Sequence, residues 1–221
     1  QWLHRQEKPL NLDEILPILQ QTALALNAMH RLEMLHQDIR PKNIMVINAE
    51  NAMKIKLIDY GSTAVRGLVE INPKNANRAL GTLAFMAPEY FIDHSPSVHS
   101  DQFSLAVMAY YLFTKQLPYG TDLARCNSLK QMKKVQYHSI RKYRPDLPIW
   151  LDKILGQALS IEPIHRFEAL SELIHNLMHP SKELLNSKPP AIIERDPLRF
   201  WQMSCAVLGL LFLLSIAWPF I

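Results

Sequence analysis

The stretch His36-Gln37-Asp38-Ile39-Arg40-Pro41-Lys42-Asn43 brings a carboxylate, a guanidinium and an amide together in one short segment. Asp38 and Asn43 lie five residues apart. On a tight loop this spacing lets the carboxylate face a hydroxyl group while the amide turns to a metal ion. Arg40 lies between them as a cation. Phosphoryl transfer depends on such parts, because it requires a positioned acceptor and neutralised phosphate charge. The stretch therefore predicts a phosphoryl-transfer loop.

Two short β-branched runs, residues 44–47 and 55–58, follow this loop and predict a small hairpin. Asp59-Tyr60-Gly61 comes directly after the second run. A carboxylate at this place is suited to hold magnesium against phosphate groups. Gly61 is predicted to permit a sharp change of backbone direction. In isolation, however, Asp59 before a glycine is equally a turn former.

The rest of the chain is predicted to be mainly helical. Apolar residues recur at helical spacing over residues 11–31, and residues 103–113 are apolar nearly all round, as in a buried helix. Residues 60–83 show weak periodicity over a length that is typical of a functional loop. Further helices are predicted at residues 129–137, 149–159 and 169–178.

These motifs resemble those of the protein kinase family, whose catalytic loop is His-Arg-Asp-x-x-x-x-Asn and whose metal motif is Asp-Phe-Gly. Ala87-Pro88-Glu89 is similar to the family's Ala-Pro-Glu segment, and the resemblance covers about residues 11–177. It implies the C-terminal lobe of a kinase over residues 1–180, a mainly α fold with the small hairpin at the catalytic cleft. Small-molecule phosphotransferases share the first loop but lack the Ala-Pro-Glu segment.

The resemblance also assigns residue roles and cofactors. It implies ATP and Mg²⁺ as cofactors and a protein as substrate. The residues concerned are Asp38 as catalytic base, Arg40 and Thr82 as further catalytic groups, Asn43 and Asp59 as cofactor and magnesium ligands, and His36, Gly61, Glu89, Asp101 and Arg166 as structural residues. Glu89 and Arg166 are expected to pair. Alternatives drawn from local structure are a first-turn acid for Glu89 and a helix N-cap for Asp101.

The segment after the base resembles serine/threonine kinases more than tyrosine kinases, because a cation and a proline follow Asp38 and Gly81-Thr82 precedes Ala87. The cation is Arg40 where those kinases have lysine, and the two side chains are not equivalent. Gln37 replaces the arginine that binds an activation-loop phosphate in many kinases. We therefore predict that activity does not require phosphorylation of that loop.

No glycine-rich phosphate loop or strand lysine precedes residue 11. By the resemblance, the small lobe is expected upstream in a longer protein, and residues 1–221 alone are expected to be inactive. A pseudokinase or membrane-tethered scaffold is the second interpretation. A helical tail-anchored protein without enzymatic function is the third, but it leaves the ordered motifs unexplained.

The C-terminal residues 200–221 contain no charged side chain. As a helix they would extend about 33 Å, against about 30 Å for a bilayer core, which predicts a transmembrane helix after a linker at residues 181–199. Arg195 and Arg199 precede this stretch, so the kinase lobe is predicted to be cytoplasmic. Residues 193–201 resemble bacterial tail-anchored kinases fused behind a PP2C-like phosphatase, which implies a possible phosphatase domain upstream.

Composition excludes other classes of function. The net charge is only +4, and the basic residues between 130 and 144 are interpreted as a solvated face, so no nucleic-acid partner is expected. The two cysteines, Cys126 and Cys205, form neither a disulfide framework nor a metal motif. The nine histidines are scattered without ligand-like pairs, and most of them are interpreted as surface or capping residues, with His36 as the exception.

Overall fold

The computed structural model describes residues 3, 7–49, 52–65, 83–92, 95–186 and 197–217. The chain divides into two compact units, residues 1–185 and 186–221. The described residues of the predicted site all lie in the first unit, which is mostly helical and carries two small antiparallel sheets.

Helix α1, Leu12–Arg31, confirms the predicted long helix before the catalytic loop. The backbone N–H of Asn11 donates to Glu14 Oε2 (2.8 Å) and caps its first turn. One face of α1 is buried, including Ile15, Leu19 and Leu26. Helix α1 therefore delivers the chain to the loop from a fixed place in the core.

The predicted hairpin is confirmed, with longer strands than expected. Strand β2, Ile44–Ala49, pairs antiparallel with β3, Ala52–Leu57, from the pair Ile44 and Leu57 at its base. A second pair was not predicted: β1, Met34–Leu35, lies antiparallel to β4, Ala64–Val65. Each of these strands has only two residues, which is too short for an alternation of apolar and polar residues to be detected in the sequence.

Helix α2, Val98–Thr114, is the buried helix, and it begins five residues before the predicted apolar run. Ser97 sets this start: its Oγ accepts from the His99 N–H (3.2 Å), and its own N–H donates to Ser100 Oγ (3.0 Å). Lys115 ends the helix in the left-handed conformation (φ 56°). Asp101 therefore lies inside the first turn and is not the N-cap.

The later helices are α3, Leu129–Met132, α4, Ile149–Ala158, and α5, Leu170–Met178. The predictions for α4 and α5 are confirmed. The prediction for residues 129–137 is wrong beyond Met132: residues 133–134 form a turn, and the half-buried Tyr137 lies outside the helix, where its hydroxyl donates to Asp152 Oδ1 (3.0 Å). Helix α6, Lys182–Leu185, forms within the predicted linker, of which residues 187–196 lie outside the described part.

The second unit contains helix α7, Pro197–Ala217. Among the residues that the structure describes, no helix is long and apolar enough to cross a membrane. The transmembrane helix predicted at residues 200–221 is thus not confirmed. Gln202, Ser204 and Ser215 interrupt the apolar run within α7, and residues 218–221 lie outside the described part.

Candidate active site

Asp101 fixes the catalytic loop to helix α2. Its Oδ2 accepts from the His36 N–H and its Oδ1 from the Gln37 N–H, both at 2.9 Å. His30 Nε2, from the last turn of α1, lies 2.9 Å from the same Oδ2. Gln37 takes the left-handed conformation (φ 64°), which is unfavourable for a residue with a side chain. The buried carboxylate of Asp101 thus holds the residue before Asp38 in a strained backbone conformation.

Asn43 positions the predicted catalytic base directly. Its Nδ2 donates to both the backbone O and the Oδ2 of Asp38, each at 2.8 Å. Asn43 is buried in the 3₁₀ turn Pro41–Asn43, and its backbone O accepts from the Ile58 N–H (3.0 Å) at the base of the hairpin. The hairpin and the turn therefore set the orientation of the half-buried Asp38 carboxylate.

His36 lies beneath the loop and is fully buried. Its ring centre is 5.5 Å from that of Tyr60, and its Nδ1 accepts from the Asp38 N–H over a long 3.4 Å. Burial lowers the pKa of His36 below its ordinary value, although the charges of Asp101 and Asp38 oppose this. The neutral imidazole therefore lies between the Asp38 backbone and the Tyr60 ring.

Asp59 is exposed and follows strand β3 at the same end of the hairpin as Asn43. Asp59 itself has the left-handed conformation (φ 69°) and precedes the 3₁₀ turn Tyr60–Ser62. The positive φ here thus belongs to Asp59, and the change of direction expected after Gly61 stays a prediction. A Cβ at Gly61 would lie 3.4 Å from Asp59 Oδ1, in ordinary van der Waals contact.

The residues present fit a hard divalent cation that is also bound by phosphate groups. The amide nitrogen of Asn43 is committed to Asp38, so its oxygen remains as a ligand, and the Asp59 carboxylate is accessible. Two oxygen ligands suit Mg²⁺, which usually keeps several waters and binds substrate phosphates. In the described part of the chain, no cluster of three or more His, Cys, Asp or Glu side chains forms a metal site of its own.

Glu89 and Arg166 are in contact, as the resemblance implied. Arg166 Nη1 donates to Glu89 Oε1 and Nη2 to Oε2, both at 2.9 Å, and both side chains are buried. Ser100 Oγ donates to Glu89 Oε1 (2.7 Å). Burial would raise the pKa of Glu89, but the hydrogen bonds and charge of Arg166 outweigh it and hold that pKa below its usual value. This charged pair joins the Ala-Pro-Glu segment to the start of α2.

Arg40 is half-buried, and its guanidinium carbon lies 5.9 Å from the centre of the Phe85 ring. Thr82 and Gly81 lie outside the described residues. The predicted contact between Thr82 and Asp38 therefore stays a prediction.

The sequence analysis missed His30 and Gln21. His30 was given no role of its own, but it lies against Asp101, which is 71 residues away. Gln21 joins α1 to strand β3, 32 residues away. No local spacing reveals either contact; the available signal was a polar side chain on a helix that buries one face.

Comparisons with known proteins agree with this geometry. Residues 1–180 match the family described as "Protein kinase domain". The chain is 26% identical over 165 residues to the serine/threonine-protein kinase PrkC of Bacillus subtilis, covering 75% of this chain and 24% of PrkC. The chain thus spans about a quarter of the length of that curated relative.

Two solved structures have the same fold. The PknI kinase domain of Mycobacterium tuberculosis superposes with a TM-score of 0.59 at 25% identity, covering 80% of this chain and 59% of that one. The Rad53 kinase domain with SCD2, solved in complex with AMPPNP, gives a TM-score of 0.55 at 18% identity, covering 83% and 63%. With the family match over most of its length and the loop geometry described above, the chain belongs to the protein kinase domain family.

Proposed function

We propose that this chain is the catalytic lobe of a serine/threonine protein kinase, which transfers the γ-phosphoryl group of ATP to a protein hydroxyl. One observation carries the proposal: Asp38 is held through Asn43 on one side and through the Asp101-bound backbone on the other. A structural loop has no need to fix a half-buried carboxylate in this way. A general base needs its carboxylate held in one orientation.

In this proposal, Asp38 accepts the hydrogen bond of the substrate hydroxyl and takes its proton on a carboxylate oxygen. The hydroxyl oxygen forms the new bond to the γ-phosphorus of ATP while the bond from that phosphorus to the bridging oxygen breaks, and ADP leaves with the electron pair. The Asn43 amide keeps that carboxylate in one orientation. Arg40 places positive charge beside the transferred group. Asn43 and Asp59 would hold Mg²⁺, which when bound neutralises phosphate charge.

The substrate class and cofactor rest on different support. The cation and proline after Asp38 favour a serine or threonine acceptor, and PrkC is named as a serine/threonine kinase. ATP is supported by the kinase fold and by the AMPPNP in the Rad53 complex.

The test is an ATP-dependent phosphorylation assay of the full-length protein that contains this chain. Asp38→Asn is expected to lower kcat by about 10²- to 10⁴-fold, the range for loss of a general base. Asp122→Asn, a change at an exposed acid, is the matched control and is expected to leave kcat unchanged. Equal labelling by wild type and Asp38→Asn would contradict the kinase function and favour a pseudokinase or scaffold.

Membrane attachment through residues 200–221 and a PP2C-like phosphatase domain upstream are proposed with it. The first is supported by the lack of charge in that stretch and by exposed apolar side chains on α7, such as Trp201 (61% exposed) and Leu208 (65%). The second rests on the resemblance of residues 193–201. Carbonate-resistant sedimentation with membranes, lost on deletion of residues 200–221, tests the first. Phosphatase assay of the full-length protein tests the second.

A further inference from the structure

Arg40 stands where related kinases have lysine, and the structure shows what its guanidinium packs against. The guanidinium carbon lies 5.9 Å from the Phe85 ring centre, within the range of a cation–π contact. A planar guanidinium stacks on an aromatic face in a way that a compact ammonium does not. The ring is buried, at 8% exposure, so it offers the cation a fixed surface.

The Phe85 ring is itself held from two sides. The Ala87-Pro88-Glu89 segment that follows it is anchored through Glu89 to Arg166. On its other side it packs edge-on against Tyr111, with ring centres 5.6 Å apart and planes inclined by 69°. Tyr111 belongs to helix α2, the same helix that holds the catalytic loop through Asp101. One helix therefore fixes the catalytic base through Asp101 and the Arg40 cation through Tyr111 and Phe85.

We propose that Phe85 is a positioning residue for phosphoryl transfer, whose ring holds the Arg40 guanidinium beside Asp38. This rests on the proposed function. A lysine at position 40 would act as a compact point charge on a flexible stem, whereas the planar guanidinium of arginine can be oriented by stacking on an aromatic face. Phe85 supplies that face, and Tyr111 fixes the position of the Phe85 ring relative to Asp101, because both Tyr111 and Asp101 belong to helix α2.

The test is a double-mutant cycle in the full-length protein with Phe85→Leu, Arg40→Met and the double variant. Leucine keeps apolar volume and removes the ring; methionine keeps an unbranched stem in place of the arginine side chain and removes the charge. In the chain that retains Arg40, Phe85→Leu is expected to lower kcat about 3- to 10-fold with a small change in the KM for ATP. In the Arg40→Met chain the same change is expected to alter kcat less than about twofold, because no cation remains to be positioned.

Two further variants sharpen the result. Phe85→Tyr retains the ring and is expected to keep kcat near the wild-type value. Phe91→Leu changes another phenylalanine of the same segment and serves as the matched control. Its effect on kcat is expected to be the same in the chain with Arg40 and in the Arg40→Met chain. Urea unfolding of the four chains of the cycle measures whether residues 40 and 85 interact at all.

Equal losses of kcat in the Arg40 and Arg40→Met chains would overturn the proposal, since Phe85 would then act through packing alone. An unfolding cycle with no coupling would overturn it as well. If the wild type shows no Asp38-dependent transfer, the proposed kinase function fails first. Phe85 is then at most a structural partner of Arg40, as a coupling in the unfolding cycle alone would show.

Discussion

At the scale of single residues, Asp101 joins helix α2 to the end of helix α1 and to the catalytic loop, which lie 64 to 71 residues earlier in the chain. Its carboxylate binds two backbone N–H groups of the catalytic loop and contacts His30 of helix α1. Asp101→Ala leaves both N–H groups buried without an acceptor. At about 1–3 kcal/mol for each of the two unsatisfied groups, we expect a loss of roughly 2–6 kcal/mol in the free energy of unfolding.

Denaturant unfolding of the full-length protein measures this loss, and Asp122→Ala provides the matched control. Asp122 is 65% exposed and meets Arg125 only at 4.0 Å, so its removal is expected to cost less than about 1 kcal/mol. Similar losses for the two variants would show that Asp101 does not anchor the loop.

The Glu89–Arg166 pair makes stability depend on pH in a defined direction. Because the pKa of Glu89 lies below its ordinary value of 4.5, its stabilising contribution is complete above that value and is lost as the pH falls through the folded-state pKa. Glu89→Gln leaves the buried guanidinium of Arg166 without its counter-charge and is expected to cost about 3–5 kcal/mol at pH 7. The difference from wild type should shrink below about pH 4.5.

Urea unfolding at several pH values between 7 and 3.5 gives this difference directly. Glu183→Gln, at an exposed glutamate, is the control and is expected to change stability by less than about 0.5 kcal/mol at any of these pH values. A Glu89→Gln deficit that stays constant down to pH 3.5 would contradict the assigned direction of the pKa shift.

At the scale of secondary-structure elements, the hairpin that carries Asn43 is attached to α1 through one amide side chain. Gln21 Nε2 donates to the Met53 O, and Gln21 Oε1 accepts from the Ile55 N–H, both at 3.0 Å. Gln21 thus replaces a neighbouring strand at the free edge of β3. Gln21→Leu is expected to cost about 1–2 kcal/mol and to speed amide hydrogen exchange at Ile55.

Gln20→Leu makes the same chemical change at the neighbouring, exposed position of α1 and should leave both readouts close to wild type. Unchanged exchange at Ile55 in the Gln21→Leu protein would show that the hairpin is held by other contacts.

The elements that could be predicted from the sequence are those whose signal is local. The periodicity of α1 and the two runs of the hairpin are contained within each element, and both are confirmed. The pairing of β1 with β4 and the contact of His30 with Asp101 join distant residues through few atoms, so no periodicity reveals them. The helix predicted at residues 129–137 ends at Met132, and the tertiary contact of Tyr137 with Asp152, 15 residues away, is one that local helical propensity does not contain.

For the site, motif order predicted the contact between Glu89 and Arg166, but backbone conformation did not follow from it. The resemblance identified Asp59 and Gly61 together, and a glycine is the natural choice for a sharp turn. The structure instead places the left-handed conformation at Asp59. Which residue takes a strained backbone conformation depends on its contacts in the folded protein, and the sequence motif does not contain those contacts.

At the scale of the whole molecule, residue 37 determines what kind of regulation the lobe can use. Gln37 is buried at 6% exposure, and its backbone N–H is held by Asp101. An uncharged amide offers a phosphate no ionic partner, whereas an arginine would offer a bidentate one. Among residues 60–83, only Ser62, Thr63, Thr82 and the motif residue Tyr60 carry a hydroxyl group.

We therefore expect phosphatase treatment of the purified full-length kinase to change kcat by less than about twofold, because position 37 provides no charge for a phosphate to pair with. Gln37→Arg supplies that charge and is expected to make kcat sensitive to the same treatment, whereas Gln116→Arg, at an exposed glutamine, is not. The assay compares treated and untreated samples of all three proteins after the phosphatase is removed. A loss of kcat of more than tenfold in the treated wild type would mean that a cation at another position binds the phosphate. Phosphorylation would then control the loop as it does in kinases that have arginine at position 37.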